Sequence, residues 1–204
     1  MIHLFKILIF SILVLSNNTG FGQVNIDNEI IADLIRSEFK SSPNDTIFNR
    51  KGQIKQIHIS KRPDILLVNE TETYLFDTDV DSLDMFRKNG LSKLDSECYL
   101  DFIEKNKSKI HVDTISYFQG TIKYLERDEL KKIFKEGGWD NYHRTFGFKP
   151  FVKVSRPGLN GDKTRAFIYF SSSTDELGGA GFYLVLEKVQ GSWTVIESML
   201  AWIS

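Results

Sequence analysis

Between residues 150 and 204, apolar side chains recur at every second position in four runs, and glycine-bearing turns separate the runs. A period of two puts alternate side chains on opposite faces of a strand. The pattern predicts strands at Phe151–Arg156, Thr164–Ser172, Gly181–Val189 and Trp193–Trp202, joined as an antiparallel meander. Three stretches supply the turns: Pro157-Gly158 with Asn160-Gly161-Asp162, then Gly178-Gly179-Ala180-Gly181, then Gln190-Gly191-Ser192. Proline presets φ there, and glycine supplies the positive values that turns need. In the third strand Phe182, Leu184 and Leu186 point one way, and Tyr183, Val185 and Glu187 the other. The second side mixes apolar and charged residues, so one face of the sheet is expected to be sealed and the other only partly covered.

Upstream the period lengthens to that of a helix. Ile30, Ile31, Leu34, Ile35 and Phe39 share a helical face between a cap at Asp27 and about Lys40, and Ser41-Ser42-Pro43-Asn44-Asp45 stops the helix. The IKQIHIS segment starting at Ile54 reads as a strand that Pro63 breaks or places at an edge. Ile65–Val68 and Thr73–Phe76 flank Asn69-Glu70-Thr71-Glu72 and read as a hairpin. Asp81 caps a short helix closed by Gly90, and Ser92 with Asp95 opens another through about Lys105. Lys109–Phe118 reads as a strand, and Arg127–Glu136 as a helix that Gly137-Gly138 ends. In the adjoining WDNYHRTFGF, Trp139, Tyr142 and Phe146 take one helical face, and Asp140, Asn141, His143 and Arg144 the other.

The first 22 residues stand apart. Lys6, the apolar Ile7–Leu15 and the small-x-small Gly20-Phe21-Gly22 read as a secretory signal peptide cleaved after Gly22. The apolar run is shorter than the roughly 20 residues a membrane helix needs, so no stable span is expected after cleavage. No cysteine follows it, which argues against a lipid anchor. Residues 23–204 are then expected to form a single secreted or periplasmic domain with its own core. Losing Lys6 takes one base from the 26 in the chain and leaves its 27 acids, a formal charge near −2. Such a balance offers no footprint for nucleic acid. Cys98 is the sole cysteine, on the apolar face of a helix with Leu94 and Phe102, and reads as a buried, inert thiol.

Chemistry-bearing motifs are mostly absent. Asp77, Asp79 and Asp81 suggest a calcium loop, but Ser82 stands where that loop needs glycine and Lys88 where it needs a bidentate glutamate. His58, His111 and His143 have no metal-ligand spacing, so no metal is expected. Ser171-Ser172-Ser173 lacks a nucleophile elbow and reads as a solvated strand end. The glycine loop at 178–181 joins two strands, not a strand and a helix, so it suits a close-packed corner better than a phosphate, and no cofactor is expected. His143 can pair with Asp140 one turn earlier. Arg156, at a strand end before Pro157-Gly158, suits carboxylate or phosphate recognition, with an ion pair to Glu176, Asp162 or Asp175 as the plain alternative. Asp140, His143, Arg144 and Arg156 are therefore the candidate binding residues. Trp139, Trp193 and Trp202 are expected in the core.

From Trp139 to the end, the chain resembles a group of small, uncharacterised exported bacterial proteins. The residues that carry the likeness are Ser155, Arg156, Gly158 and Asn160, then Ala166, Tyr169, Gly179, Gly181, Tyr183, Leu186 and Lys188, then Gly191, Trp193, Trp202 and Ser204. Leu159 departs from the phenylalanine of that pattern. The resemblance implies export and a shared fold, and brings no activity with it. The expected fold is α+β, a four-stranded antiparallel meander packed against helices, with a cystatin-like or NTF2-like cradle as the analogy. The expected role is a non-catalytic binding domain for an extracytoplasmic protein, peptide or glycan. The alternative is a small cradle-type, hydrolase-like enzyme using Asp140, His143 and Arg156, which requires those three to share one cavity.

Overall fold

A computed structural model describes residues 26–40, 45–48, 54–58, 64–73 and 82–204. The signal-peptide reading, the cleavage site and the three alternating aspartates lie outside them, as does Asp81, the expected cap.

Residues 26–38 form helix α1, with Ile30, Ile31, Leu34 and Ile35 fully buried along its inner face. Asp27 lies inside this helix and does not cap it; its carboxylate turns to Lys105 and Arg156 instead. β1 (Asp45–Phe48) and β2 (Ile54–His58) pair in a small antiparallel sheet, with β2 inside the expected IKQIHIS strand.

The main sheet has seven strands among the described residues: β3 (Asp64–Val68), β4 (Thr121–Leu125), β5 (Phe151–Val154), β6 (Gly158–Leu159), β7 (Arg165–Ser173), β8 (Gly179–Val189) and β9 (Ser192–Ile203). Their order is β4-β3-β5-β7-β8-β9, with β6 added against β7. β5, β7, β8 and β9 are the expected meander, antiparallel throughout. Beyond Thr73, the second arm of the expected hairpin around Asn69 lies outside the described residues. β3 is a central strand, parallel to both β4 and β5. Its Ile-Leu-Leu-Val run is apolar on both faces because both are covered, which is what a parallel strand requires. After it, Glu70 bridges His111 and Glu72 bridges Ser155.

Two further readings need correction. Lys109–Phe118 is not a strand: its backbone turns outward to serve neighbours. Val112 donates to the Asn69 carbonyl at 2.8 Å, Asp113 to Asn28 at 3.1 Å and Ile115 to the Tyr124 hydroxyl at 2.7 Å. The strand comes later, as β4. Helix α3 (Ser96–Lys105) opens at Asp95, whose carboxylate accepts from the Cys98 amide at 2.8 Å, while Ser92 bonds Glu197. The short α2 (Leu83–Lys88) is capped by Ser82. α4 (Arg127–Phe146) carries non-helical angles at Gly137 and Gly138, and the positive φ of 58° at Gly138 is one only glycine adopts without strain. The two segments expected on either side of that pair are thus one broken helix.

Strand alternation sorts the core into three clusters. Ala166, Ile168, Phe170, Leu184, Leu186, Val152, Val154, Ile65 and Leu67 pack beneath α1. On the opposite face Phe167, Tyr169, Tyr183 and Val185 meet Phe86, Leu94, Cys98 and Phe102 of the α2–α3 region. On that same face, nearer β4, Leu66, Val68, Leu125 and Phe151 meet Leu130, Ile133, Tyr142 and Phe146 of α4. One face is sealed by a single cluster; the other is covered in two patches. No helix among the described residues is long and apolar enough to cross a membrane.

Candidate functional site

The gap between the two helical patches is a cleft of about 300 Å³. Phe151 and Lys153 of β5 and Tyr169, Ser171 and Ser173 of β7 line it, with Trp202 of β9 on one side and Glu72 on the other. The strand side chains all project from the same face: Phe151 stands opposite Ser173 and Lys153 opposite Ser171. Along β7 that face runs Phe167, Tyr169, Ser171, Ser173, from apolar to hydroxylic.

Trp202 reaches the cleft through a break in register. Tyr183 pairs with Met199 and Phe182 with Leu200, but Gly181 pairs with Trp202, so Ala201 is an extra residue. A β-bulge of this kind shifts the alternation by one and re-aims the side chains beyond it. The indole then lies on bare backbone: a Cβ on Gly181 would come within 2.2 Å of its Nε1, and one on Gly179 within 3.1 Å of its Cζ3. Trp202 Nε1–H donates to the Tyr169 hydroxyl at 2.7 Å, which leaves the Tyr169 proton free to donate.

Glu72 is held from behind. Arg127, the first residue of α4, donates from Nη1 to Glu72 Oε2 at 3.2 Å and from Nη2 to the Thr71 carbonyl at 3.1 Å. Glu72 Oε1 is buried and receives no hydrogen bond from a described residue; the Lys153 ammonium stands 3.7 Å from it. The same ammonium lies 5.6 Å above the Phe151 ring. Ser171 and Ser173 are 4% and 9% exposed, and neither hydroxyl has a hydrogen bond to a described residue.

The four expected binding residues lie elsewhere. Asp140 and Arg144 are exposed on the outer side of α4. His143 does not pair with Asp140: its Nε2–H donates to the Thr174 carbonyl at 2.9 Å, and its ring lies 4.2 Å from that of Phe148. Arg156 is folded inward, with Nε and Nη2 each 3.0 Å from Asp27 Oδ2. Its partner is therefore Asp27, fully buried on α1, and not Glu176, Asp162 or Asp175. Lys105 joins the cluster, 3.3 Å from Asp27 and 2.7 Å from Asp101. Arg156 follows Ser155, which bonds Tyr169, whereas His143 bonds Thr174. At about 3.3 Å per residue, five residues of β7 separate the two levels by roughly 16 Å. The shared cavity that the hydrolase-like alternative requires is not formed.

Cys98 is fully buried, its thiol pushed far up by burial and further by the Asp95 carboxylate, and Sγ donates to the Arg165 carbonyl at 3.3 Å. Among the described residues no group of three or more His, Cys, Asp or Glu side chains could hold a metal ion. Two other hollows border Arg36 and Lys40 at the end of α1, where the chain leaves the described residues.

Compared with protein-family models, with curated proteins and with solved structures, the chain finds no match.

The residues of the cleft were partly visible beforehand. Polar residues on one face of the strand at 169, 171 and 173, beside an apolar Phe167, signal a place where cover ends. Trp202 gave no such sign, since only the bulge turns it inward, and Glu72 lies 81 positions from Lys153 in the chain.

Proposed function

We propose that the protein is an exported binding domain and that the cleft between α4 and α3 is its ligand site. Export rests on the leader-like residues 1–22 and on the resemblance of residues 139–204 to small exported proteins. The binding role rests on one observation: polar side chains with spare hydrogen-bonding capacity converge in a concavity on one face of the sheet. Pockets with a few convergent polar groups on a rigid scaffold are where ligands bind. Nothing in the lining favours turnover. Lys153 faces Ser171 across the β5–β7 pair, but its ammonium is turned to the Glu72 carboxylate, 3.7 Å away. A cystatin-like or NTF2-like cradle remains the fold analogy; the meander against helices supports it, and the parallel β3–β4–β5 half lies outside it. The test is a ligand array against the protein purified after expression of the full chain. Stable, saturable capture that perturbs Trp202 is expected. Reproducible turnover of a substrate without a stable complex would overturn the reading.

A further inference from the structure

Resting on that reading of the cleft, we propose that its ligand is a neutral, hydroxyl-rich ring: a hexopyranose unit, free or within a glycan. Three properties of the lining select this class. The first is charge. Among the described residues Lys153 and Glu72 are the charged members of the lining, 3.7 Å apart, and behind them Arg127 pairs with both Glu72 and Glu70, so two cations face two carboxylates and the charges balance. An anion would meet the Glu72 carboxylate, and a cation would meet the ammonium. Neutral hydroxyls suit both groups, accepting from Lys153 Nζ and donating to Glu72 Oε1.

The second is the number of unpartnered hydroxyls. Ser171 and Ser173 lie on one face two residues apart, and the Tyr169 proton is free because its oxygen already accepts from Trp202. Each hydroxyl can donate and accept, which matches the ring of hydroxyls on a sugar and is wasted on an apolar ligand. The third is a flat wall: Trp202 lines the cleft, and a pyranose carries C–H faces that pack on an aromatic ring while its edge stays polar. Phe151, on which Trp139 stacks and over which the Lys153 ammonium lies, adds only apolar lining. The volume of about 300 Å³ suits a ligand of one or two rings. The bulge at Ala201 and the bare glycines beneath the indole are the devices that put Trp202 there.

The experiment is an NMR titration of the isotope-labelled protein, expressed as the full chain, following the Trp202 indole N–H. The probes are glucose, galactose and N-acetylglucosamine, as monomers and as β-1,4-linked oligomers, with glucuronate, phosphate and a glycine tripeptide alongside. A saturable shift with a neutral sugar is expected, tighter than with glucuronate. If the monomers suffice, the ligand is a free sugar; if only oligomers bind, it is a glycan. Ser171→Ala and Ser173→Ala are each expected to weaken binding roughly fivefold, as the loss of one hydrogen bond does. Trp202→Phe, read through the Gly181 and Tyr169 amides because the indole reporter is gone, is expected to keep weaker sugar binding, and binding unchanged by it would overturn the role given to the indole. Sugar binding indifferent to both serine variants would overturn the proposal. Phosphate or the peptide shifting Trp202 where no sugar does would overturn the ligand class and leave the cleft as a binding site. No response to any probe would overturn both.

Discussion

The two faces of the main sheet are built from the same strands and end differently. Beneath α1, Val152 and Val154 of β5, Ala166, Ile168 and Phe170 of β7 and Leu184 and Leu186 of β8 form one apolar cluster, with Ser172 and Lys188 at the strand ends on the same side. On the other face the crossover segments bring α2 and α3 down at one end and α4, packed on Phe151, at the other, and between them lies the strip from Lys153 to Trp202. The polar residues of β7 coincide with that strip. Uncovered sheet tolerates hydroxyls and charges, so the gap in cover and the change in sequence are one fact seen twice. The sealed face carries most of the apolar packing, and the polar strip is where we propose that a ligand binds.

Substitutions on the two faces should therefore separate stability from binding. The largest loss is expected at Asp27→Ala. It leaves Arg156 and Lys105 as poorly compensated cations among α1, α3 and the β5–β6 link, and removing one partner of a buried pair costs about 3–5 kcal/mol. Chemical denaturation would read it; a loss under about 1 kcal/mol would mean the network does not hold α1 in place. Next is Gly158→Ala. Its Cβ would meet the Cys98 carbonyl at 2.1 Å and the Phe102 amide at 2.4 Å, so helix α3 must lift from β6, at a cost of about 3 kcal/mol by the range for overpacking.

Gly181→Ala is expected to act more locally. The new methyl pushes the Trp202 indole off the sheet and breaks its bond to Tyr169, for about 1 kcal/mol. The indole N–H resonance would move while the Trp193 signal stays. The Ser171→Ala, Ser173→Ala double variant should change stability by less than about 0.5 kcal/mol, as at other positions without structural partners. Equal damage from it and from Asp27→Ala would erase the contrast between the faces. The smallest effect concerns Cys98. Burial, with Asp95 adding to it, raises the thiol above its ordinary value, so the folded protein holds this proton where the unfolded chain loses it. Its contribution to stability falls only as pH rises past the ordinary thiol range, and thiol reagents at about pH 8 should modify Cys98 no faster than the protein opens.

How much was legible beforehand differs between the two halves of the chain. The meander was, because turn residues and period-two patterning are local, and β7, β8 and β9 follow them closely. β3 was misread because a short apolar run beside a polar tetrapeptide fits a hairpin as well as a buried parallel strand. Its parallel partners lie 57 and 85 residues away, at Ile122 for Ile65 and Phe151 for Leu66. Arg156 was noticed for its position before a Pro-Gly turn, yet its partner Asp27 is 129 residues upstream. On the expected polar face of α4, Asp140 and Arg144 are exposed, while Asn141 bonds the Ile133 carbonyl and His143 turns to Thr174 and Phe148.

The amino-acid order alone determined the features that depend on neighbours a few residues apart: the turns of the meander, the break of α4 at Gly137 and Gly138, and the alternation that divides β8 into two faces. Which face would remain open was decided by the tertiary structure. It depends on where two crossover helices land, on one extra residue at Ala201 that turns Trp202 inward, and on an arginine that holds Glu72 across the gap. Those are meetings between distant parts of the chain, and a pattern read along the backbone carries no distance across it.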